Sequence, residues 1–179
     1  VGANGMFLTK LEYGIPRWQV AASYSHKTSD PNASAGFGTA AGKSRTGETD
    51  ALGLRGYWKP ETAGLIPAVS VGWDTASIDD DGTDGATEET TGWMVGLSWK
   101  DAFVDGNSAG LAFGQRQYAS EVVGSSDDPA DENFIWEAYY TFKVSDNVSV
   151  TPAIFGLTDP KNGTDDDLTG AIVNTTFRF

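Results

Sequence analysis

Leu168-Thr169-Gly170-Ala171-Ile172-Val173-Asn174-Thr175-Thr176-Phe177-Arg178-Phe179 divides its side chains by parity. Thr169, Ala171, Val173, Thr175, Phe177 and Phe179 share one parity, and Gly170, Ile172, Asn174, Thr176 and Arg178 the other. Successive Cβ atoms of a strand point to opposite faces, so a period of two reads as a strand. One face is weakly apolar and the other polar. Terminal residues of soluble domains usually fray. A segment closing on Phe-Arg-Phe therefore reads as a closing strand rather than a tail.

Eight more segments of this kind precede it: Met6–Tyr13, Trp18–Lys27, Ala51–Lys59, Ala68–Ile78, Thr91–Lys100, Ser108–Val122, Asn133–Val144 and Val148–Leu157. The fifth alternates most cleanly, with Trp93, Val95, Leu97 and Trp99 set against Gly92, Met94, Gly96, Ser98 and Lys100. The sixth loses its pattern at Gln115 and Gln117. Pro152 sits inside the eighth, and proline lacks the ladder donor, so a bulge or a locally unpaired position is expected there. Short turns alternate with long loops, which places all turns at one end and all long loops at the other.

Hydropathy alone does not separate the possible settings of such a sheet. No run approaches the ~18 apolar residues of a membrane-spanning helix. The mean hydropathy of -0.31 suits a soluble protein. It equally suits a membrane barrel, in which only alternate residues face lipid. The absence of cysteine excludes disulfides and thiolate metal sites. A net charge of -13 argues against nucleic acid as a partner. The loop stretches 28–50, 79–90, 123–132 and 159–167 hold 17 of the 25 acids, with only Lys43, Arg45 and Lys161 as bases. The rest of the chain is nearly neutral.

Aromatic positions follow the same division. Tyr13, Trp18, Trp58, Trp99, Phe142 and Phe179 fall at the turn ends on the apolar parity. Tyr24, Trp73, Trp93, Phe134 and Trp136 fall nearer the loop ends. Two aromatic belts are expected where a barrel meets the two membrane interfaces. Aromatics also favour strands in any setting. The opposite parity carries Lys10, Glu12, Arg55, Lys59, Asp74, Lys100, Arg116, Glu137, Lys143 and Arg178. These are the expected pore-lining charges, mildly anion-favouring in sum, and charges lining a pore set ion selectivity.

Catalytic and metal signatures are weak. His26 is the one histidine; Ser25 is adjacent and Ser23 has the opposite parity, so neither hydroxyl faces it across a strand. Asp79-Asp80-Asp81-Gly82-Thr83-Asp84-Gly85 and Asp165-Asp166-Asp167 resemble calcium loops, but the first lacks the full ligand spacing and its bidentate Glu. Loose divalent-cation bridging to lipopolysaccharide is the expectation. Gly42-Lys43-Ser44 has Phe37 where a phosphate-binding loop needs glycine. No enzyme activity and no cofactor are expected.

Four segments carry a resemblance: Trp58-Lys59-Pro60-Glu61, Trp93-Met94-Val95-Gly96-Leu97-Ser98-Trp99, Asn133-Phe134-Ile135-Trp136-Glu137-Ala138-Tyr139-Tyr140 and Val148-Ser149-Val150-Thr151-Pro152-Ala153-Ile154. They resemble the cyanobacterial outer-membrane porins, a group placed with the carbohydrate-selective porins and also described as iron-uptake porins. That resemblance implies an antiparallel transmembrane β-barrel in the outer membrane, passing inorganic ions and small hydrophilic solutes such as carbohydrates by passive diffusion. It also implies a homotrimer bathed in lipid and lipopolysaccharide, and a C-terminal aromatic read by the assembly machinery. Family members carry an upstream peptidoglycan-binding S-layer-homology domain, a helical segment and further strands.

Nine strands are an odd number, whereas single-chain bacterial barrels have an even one. Residues 1–179 therefore read as the C-terminal portion of a barrel of about 16 strands. Two constriction loops are compatible with this, Thr28–Asp50 with Lys43 and Arg45, or one belonging to the absent strands. The rival readings are a pore-less eight-stranded membrane anchor or adhesin, and a soluble β-barrel or lectin-like binding module.

Overall fold

A computed structural model describes residues 5–28, 48–79, 84–124, 134–158 and 167–179. Nine strands follow one another: β1 (Met6–Ile15), β2 (Trp18–Lys27), β3 (Glu48–Trp58), β4 (Ala68–Asp79), β5 (Thr87–Lys100), β6 (Ser108–Val122), β7 (Phe134–Lys143), β8 (Val148–Leu157) and β9 (Leu168–Phe177). They form a single antiparallel sheet in sequential order, open between β1 and β9, and no helix occurs among the described residues. The all-β expectation holds, strand for strand.

Register decides which side chains share a face. A row of directly paired residues crosses the whole sheet: Ile15, Trp18, Trp58, Val69, Leu97, Leu111, Ala138, Ile154 and Ala171. Every member is apolar. A neighbouring row of opposite parity reads Gly14, Gln19, Tyr57, Ser70, Gly96, Ala112, Glu137, Phe155 and Gly170. The sheet thus has one continuous apolar face and one mixed face, on which small and polar residues are interspersed with Leu8, Met94, Phe155 and Ile172. The apolar row starts at the last residue of β1 and ends six residues short of the end of β9. At about 3.3 Å per residue and 4.8 Å per strand, paired rows slope by roughly 30° to the line of strand ends. The stagger never reverses from one strand to the next.

Several boundaries differ from the sequence reading. β5 begins at Thr87, inside a stretch read as acidic loop, and pairs there with the end of β6. Thr87 and Thr90 are buried, with Thr49, Ala76, Ile78 and Ala119. These residues give the loop end of β3–β6 the small dry cluster that extends its strands. β3 likewise starts three residues early, at Glu48, while β9 stops at Phe177, short of the chain's end.

The broken pattern of β6 is a bulge. Thr91 pairs Tyr118 but Trp93 pairs Gln115, so Arg116 and Gln117 together oppose Gly92. The extra residue turns Gln117 to the polar face and Tyr118 to the apolar one. A Cβ on Gly92 would press on the backbone of Gln117. Pro152 causes no shift. Its pairing with Val173 on β9 is regular, while the β7 ladder omits its opposite position, Tyr140, and resumes in the same register at Phe142. The locally unpaired alternative is the one found.

Close backbone contact makes Gly114 irreplaceable. A Cβ there would meet the carbonyl of Trp93 and the Cα of Met94, groups that cannot swing aside. Gly64, in the β3–β4 connection, has nothing within 4 Å. Gly114→Val is expected to lower the unfolding free energy by about 1–3 kcal/mol through overpacking. Gly64→Val is expected to change it by less than about 0.5 kcal/mol. Denaturant unfolding of the two variants checks this.

Candidate functional site

The polar face is the candidate site, and its low relief has a local cause. Large side chains on it lie over the glycine of the neighbouring strand: Tyr139 over Gly110, Phe155 over Gly170 and Met94 over Gly72. A side chain at those glycines would lift the rings off the sheet. Ser23 and Ser70 turn their hydroxyls down to the carbonyls of Gly53 and Gly96, each at 3.4 Å. Small residues therefore keep this face flat between its charges.

Lys10, Glu12, Arg55, Asp74, Lys100, Glu137 and Lys143 fall on this face by register, and the expected charges form separate groups. Lys10 and Glu12 pair with each other at 2.5 Å on β1. Arg55 lies between Ala21 and Gly72. Asp74 accepts a hydrogen bond from Gln117 Nε2 at 3.0 Å, with Arg116 facing the same side across the bulge. Glu137 lies between Ala112 and Phe155. Lys59 lies 4.8 Å from the centre of the Tyr57 ring, at the turn end of β3. Lys100 pairs with Ser108 at the turn end of β5. Lys143 and Arg178 come together around one cavity of about 240 Å³. The structure thus joins Lys10 with Glu12, Asp74 with Gln117 and the bulge, and Lys143 with Arg178.

The opposite face carries the aromatics. Tyr13 and Trp18 meet edge-on at 5.7 Å, and Trp18 pairs across the strand with Trp58. Trp99 Nε1 donates to the carbonyl of Leu65 at 2.9 Å, and Phe142 packs on Tyr140 at 4.7 Å. These residues mark the turn end, with Phe179 fully exposed beyond β9. Trp73 pairs directly with Trp93, whose ring meets Phe113, and Phe113 pairs with Trp136. Trp93 and Trp99 are separated by about 20 Å along β5.

Two polar groups on the apolar face have partners that the sequence did not show. Gln115 accepts from Trp93 Nε1 at 2.7 Å, so its amide has a partner there. Asp50, read as loop, belongs to β3 and faces His26, with Asp50 Oδ1 3.0 Å from His26 Nδ1 and also bonded to the Tyr24 hydroxyl. Only the β2–β3 register could have brought them together. Ser23 and Ser25 lie on the other face, so the histidine has no hydroxyl partner of nucleophilic type within its own strand.

Parts of the sequence reading lie outside the described residues: most of the Thr28–Asp50 loop with Lys43 and Arg45, Asp80 to Thr83, and Asp165 with Asp166. Among the described residues, no three His, Asp or Glu side chains are grouped to hold a metal ion.

The turn end is held by hydrogen bonds from two connections, β5–β6 and β7–β8. Asn107 is buried; its Nδ2 donates to the Tyr140 hydroxyl at 3.0 Å, and its Oδ1 accepts from the Lys143 N–H at 2.9 Å. Tyr140 donates in turn to the Ala102 carbonyl at 2.7 Å. Arg178 is clamped to Asn147: its N–H donates to the Asn147 carbonyl at 2.9 Å, and its carbonyl accepts from Asn147 Nδ2 at 2.6 Å.

No family model matches the chain, and no solved structure matches it. It is similar to the uncharacterized protein alr4550 of Nostoc sp. strain PCC 7120, 32% identical over 99 residues. The match covers 53% of this chain and 16% of that relative, so the shared stretch is a small part of the longer protein.

In the β7–β8 turn, Lys143 Nζ lies 2.7 Å from Asp146 Oδ1. Its hydrogen bond, then its charge, hold the Asp146 carboxyl below the usual carboxylate range. A lowered folded-state pKa stabilises the fold above the ordinary carboxylate pKa, and that contribution is lost as pH falls through the lowered value. The native chain is therefore expected to exceed Asp146→Asn slightly in thermal midpoint at pH 7. The two midpoints converge in acid, which melting curves between pH 2 and 7 check.

Proposed function

We propose that this chain is part of an outer-membrane β-barrel porin of the cyanobacterial type, its apolar face in lipid and its polar face lining a water-filled lumen. The observation that carries the reading is the unbroken apolar row from Ile15 to Ala171, one side chain from each strand. Fifteen large apolar side chains of that face are exposed, among them Phe7, Leu11, Leu54, Trp73, Ile154 and Phe177. At about 1 kcal/mol for each half-exposed side chain, their removal from water is favourable by on the order of 15 kcal/mol. That equals the entire stability of an ordinary domain, so the face requires a cover. Tryptophans at two levels on the same face suit the two edges of a bilayer. The one-directional stagger suits a barrel, whose closure demands tilted strands.

On this reading β1 and β9 are edges that pair with further strands of a longer chain, because an open sheet leaves donors and acceptors unsatisfied in lipid. The similarity to a small part of a much longer relative fits that arrangement. The mechanism is passive diffusion. Hydrated ions and small solutes pass a wall of Ser, Gly, Thr and Ala interrupted by charges and by Leu8, Met94, Phe155 and Ile172, and no step requires a cofactor. The ten wall charges comprise seven cations and three acids, so the wall favours anions mildly.

Planar bilayers containing the full-length protein test both parts. Stepwise conductance in potassium chloride is expected, with a reversal potential in a tenfold salt gradient on the anion-selective side of zero. Absence of steps from a folded, membrane-inserted protein contradicts the pore, and a strong cation preference contradicts the wall argument.

A further inference from the structure

The turn end of the polar face carries a repeat. Every odd strand after β1 closes on an aromatic residue followed by a cation: Trp58-Lys59, Trp99-Lys100, Phe142-Lys143 and Phe177-Arg178. Alternation puts each ring with the apolar face and each cation with the polar one. Lys59 over the Tyr57 ring, Lys100 opposite Ser108, and Lys143 opposite Ser149 follow that rule. One strand intervenes between successive members, so the cations stand about 10 Å apart laterally along one rim. That rim is the end of the sheet remote from the acid-rich loops.

Two of the four converge. Lys143 and Arg178 line the 240 Å³ cavity together with Ser108, Thr141, Ser149 and Thr176, all of the polar face. The cavity is smaller than the roughly 300–1,000 Å³ of pockets for drug-sized ligands, so it suits one small group rather than a whole solute. Its acid is Asp146, 2.7 Å from Lys143 Nζ, so a bound anion must displace this carboxylate from Lys143. Arg178 makes no ion pair among the described residues. Its backbone is fixed by Asn147, and the Lys143 backbone by Asn107, so both cations spring from anchored positions.

We propose that this rim binds multivalent oxyanions of the polyphosphate class, one phosphate group seated between Lys143 and Arg178 and the next drawn toward Lys100. A guanidinium, an ammonium and several hydroxyl donors around one small cavity are the donor set that phosphate oxygens take. Four cations along one rim beside low-dielectric walls attract polyanions more than single anions, against the opposing charges of Asp101 next to Lys100 and Asp146 next to Lys143. The inference rests on the lumen reading for its access route but makes a binding claim of its own.

Calorimetric titration of inorganic tripolyphosphate into the full-length protein in detergent at low salt tests it. The double variant Lys143→Gln with Arg178→Gln is expected to weaken binding at least tenfold. Lys143→Arg with Arg178→Lys, which keeps both charges, is expected to stay within threefold of the native protein and to control for folding. No binding by the native protein, or binding unaffected by removal of the two charges, overturns the site. Potassium chloride conductance of the same preparation separates the two claims, since a protein that binds tripolyphosphate without conducting fails as a pore and keeps the site.

Discussion

Cross-strand register is the constraint on which everything else in this structure depends. With a side-chain period of two, a slip of one residue at any of the eight ladders would send every later strand's apolar set to the opposite face. No uncompensated slip occurs. The one bulge of consequence, at Arg116 and Gln117, lies beyond the stretch that pairs with β7, so its change of parity ends with β6 itself. Hydrogen bonding between neighbours thus converts nine weakly amphipathic strands into two faces of distinct chemistry.

The two faces solve different packing problems. The apolar one carries branched and aromatic side chains standing clear of the sheet, and few of them are buried by other residues of this chain. The polar one is kept flat by glycine and serine, with Tyr139 and Phe155 laid down over glycines rather than standing up. In a porin these are the requirements of a surface that meets lipid tails and of a wall that leaves room for water. The distribution of charge adds a direction. Acids gather in the long loop stretches of the sequence, while cations close β3, β5, β7 and β9 at the turn end, giving the sheet two ends of unlike charge.

Strand identity was legible because alternation in segments such as Trp93 to Trp99 needs no tertiary information. The two faces were legible for the same reason, down to Lys10, Arg55 and Glu137. Features created by neighbours were not. Thr87 to Thr90 reads as acidic loop with Glu88 and Glu89, and only pairing with β6 makes it strand. Gln115 and Gln117 look like a single lapse of pattern, yet they lie on opposite faces, one bonded to Trp93 and the other to Asp74. Asp50 belongs with His26 and Tyr24 only through the β2–β3 ladder. The convergence of Lys143 and Arg178 likewise joins residues 35 positions apart through β8.

The account stands on which medium touches each face. Single cysteines at positions 93 to 100 along β5, labelled with an environment-sensitive fluorophore in reconstituted vesicles of the full-length protein, measure it directly. The account predicts a period of two, with labels at 93, 95, 97 and 99 quenched by lipid-chain quenchers and labels at 94, 96, 98 and 100 quenched by iodide from water. Labels at 93, 95, 97 and 99 shielded from both quenchers would show that protein covers the apolar face, and would contradict it.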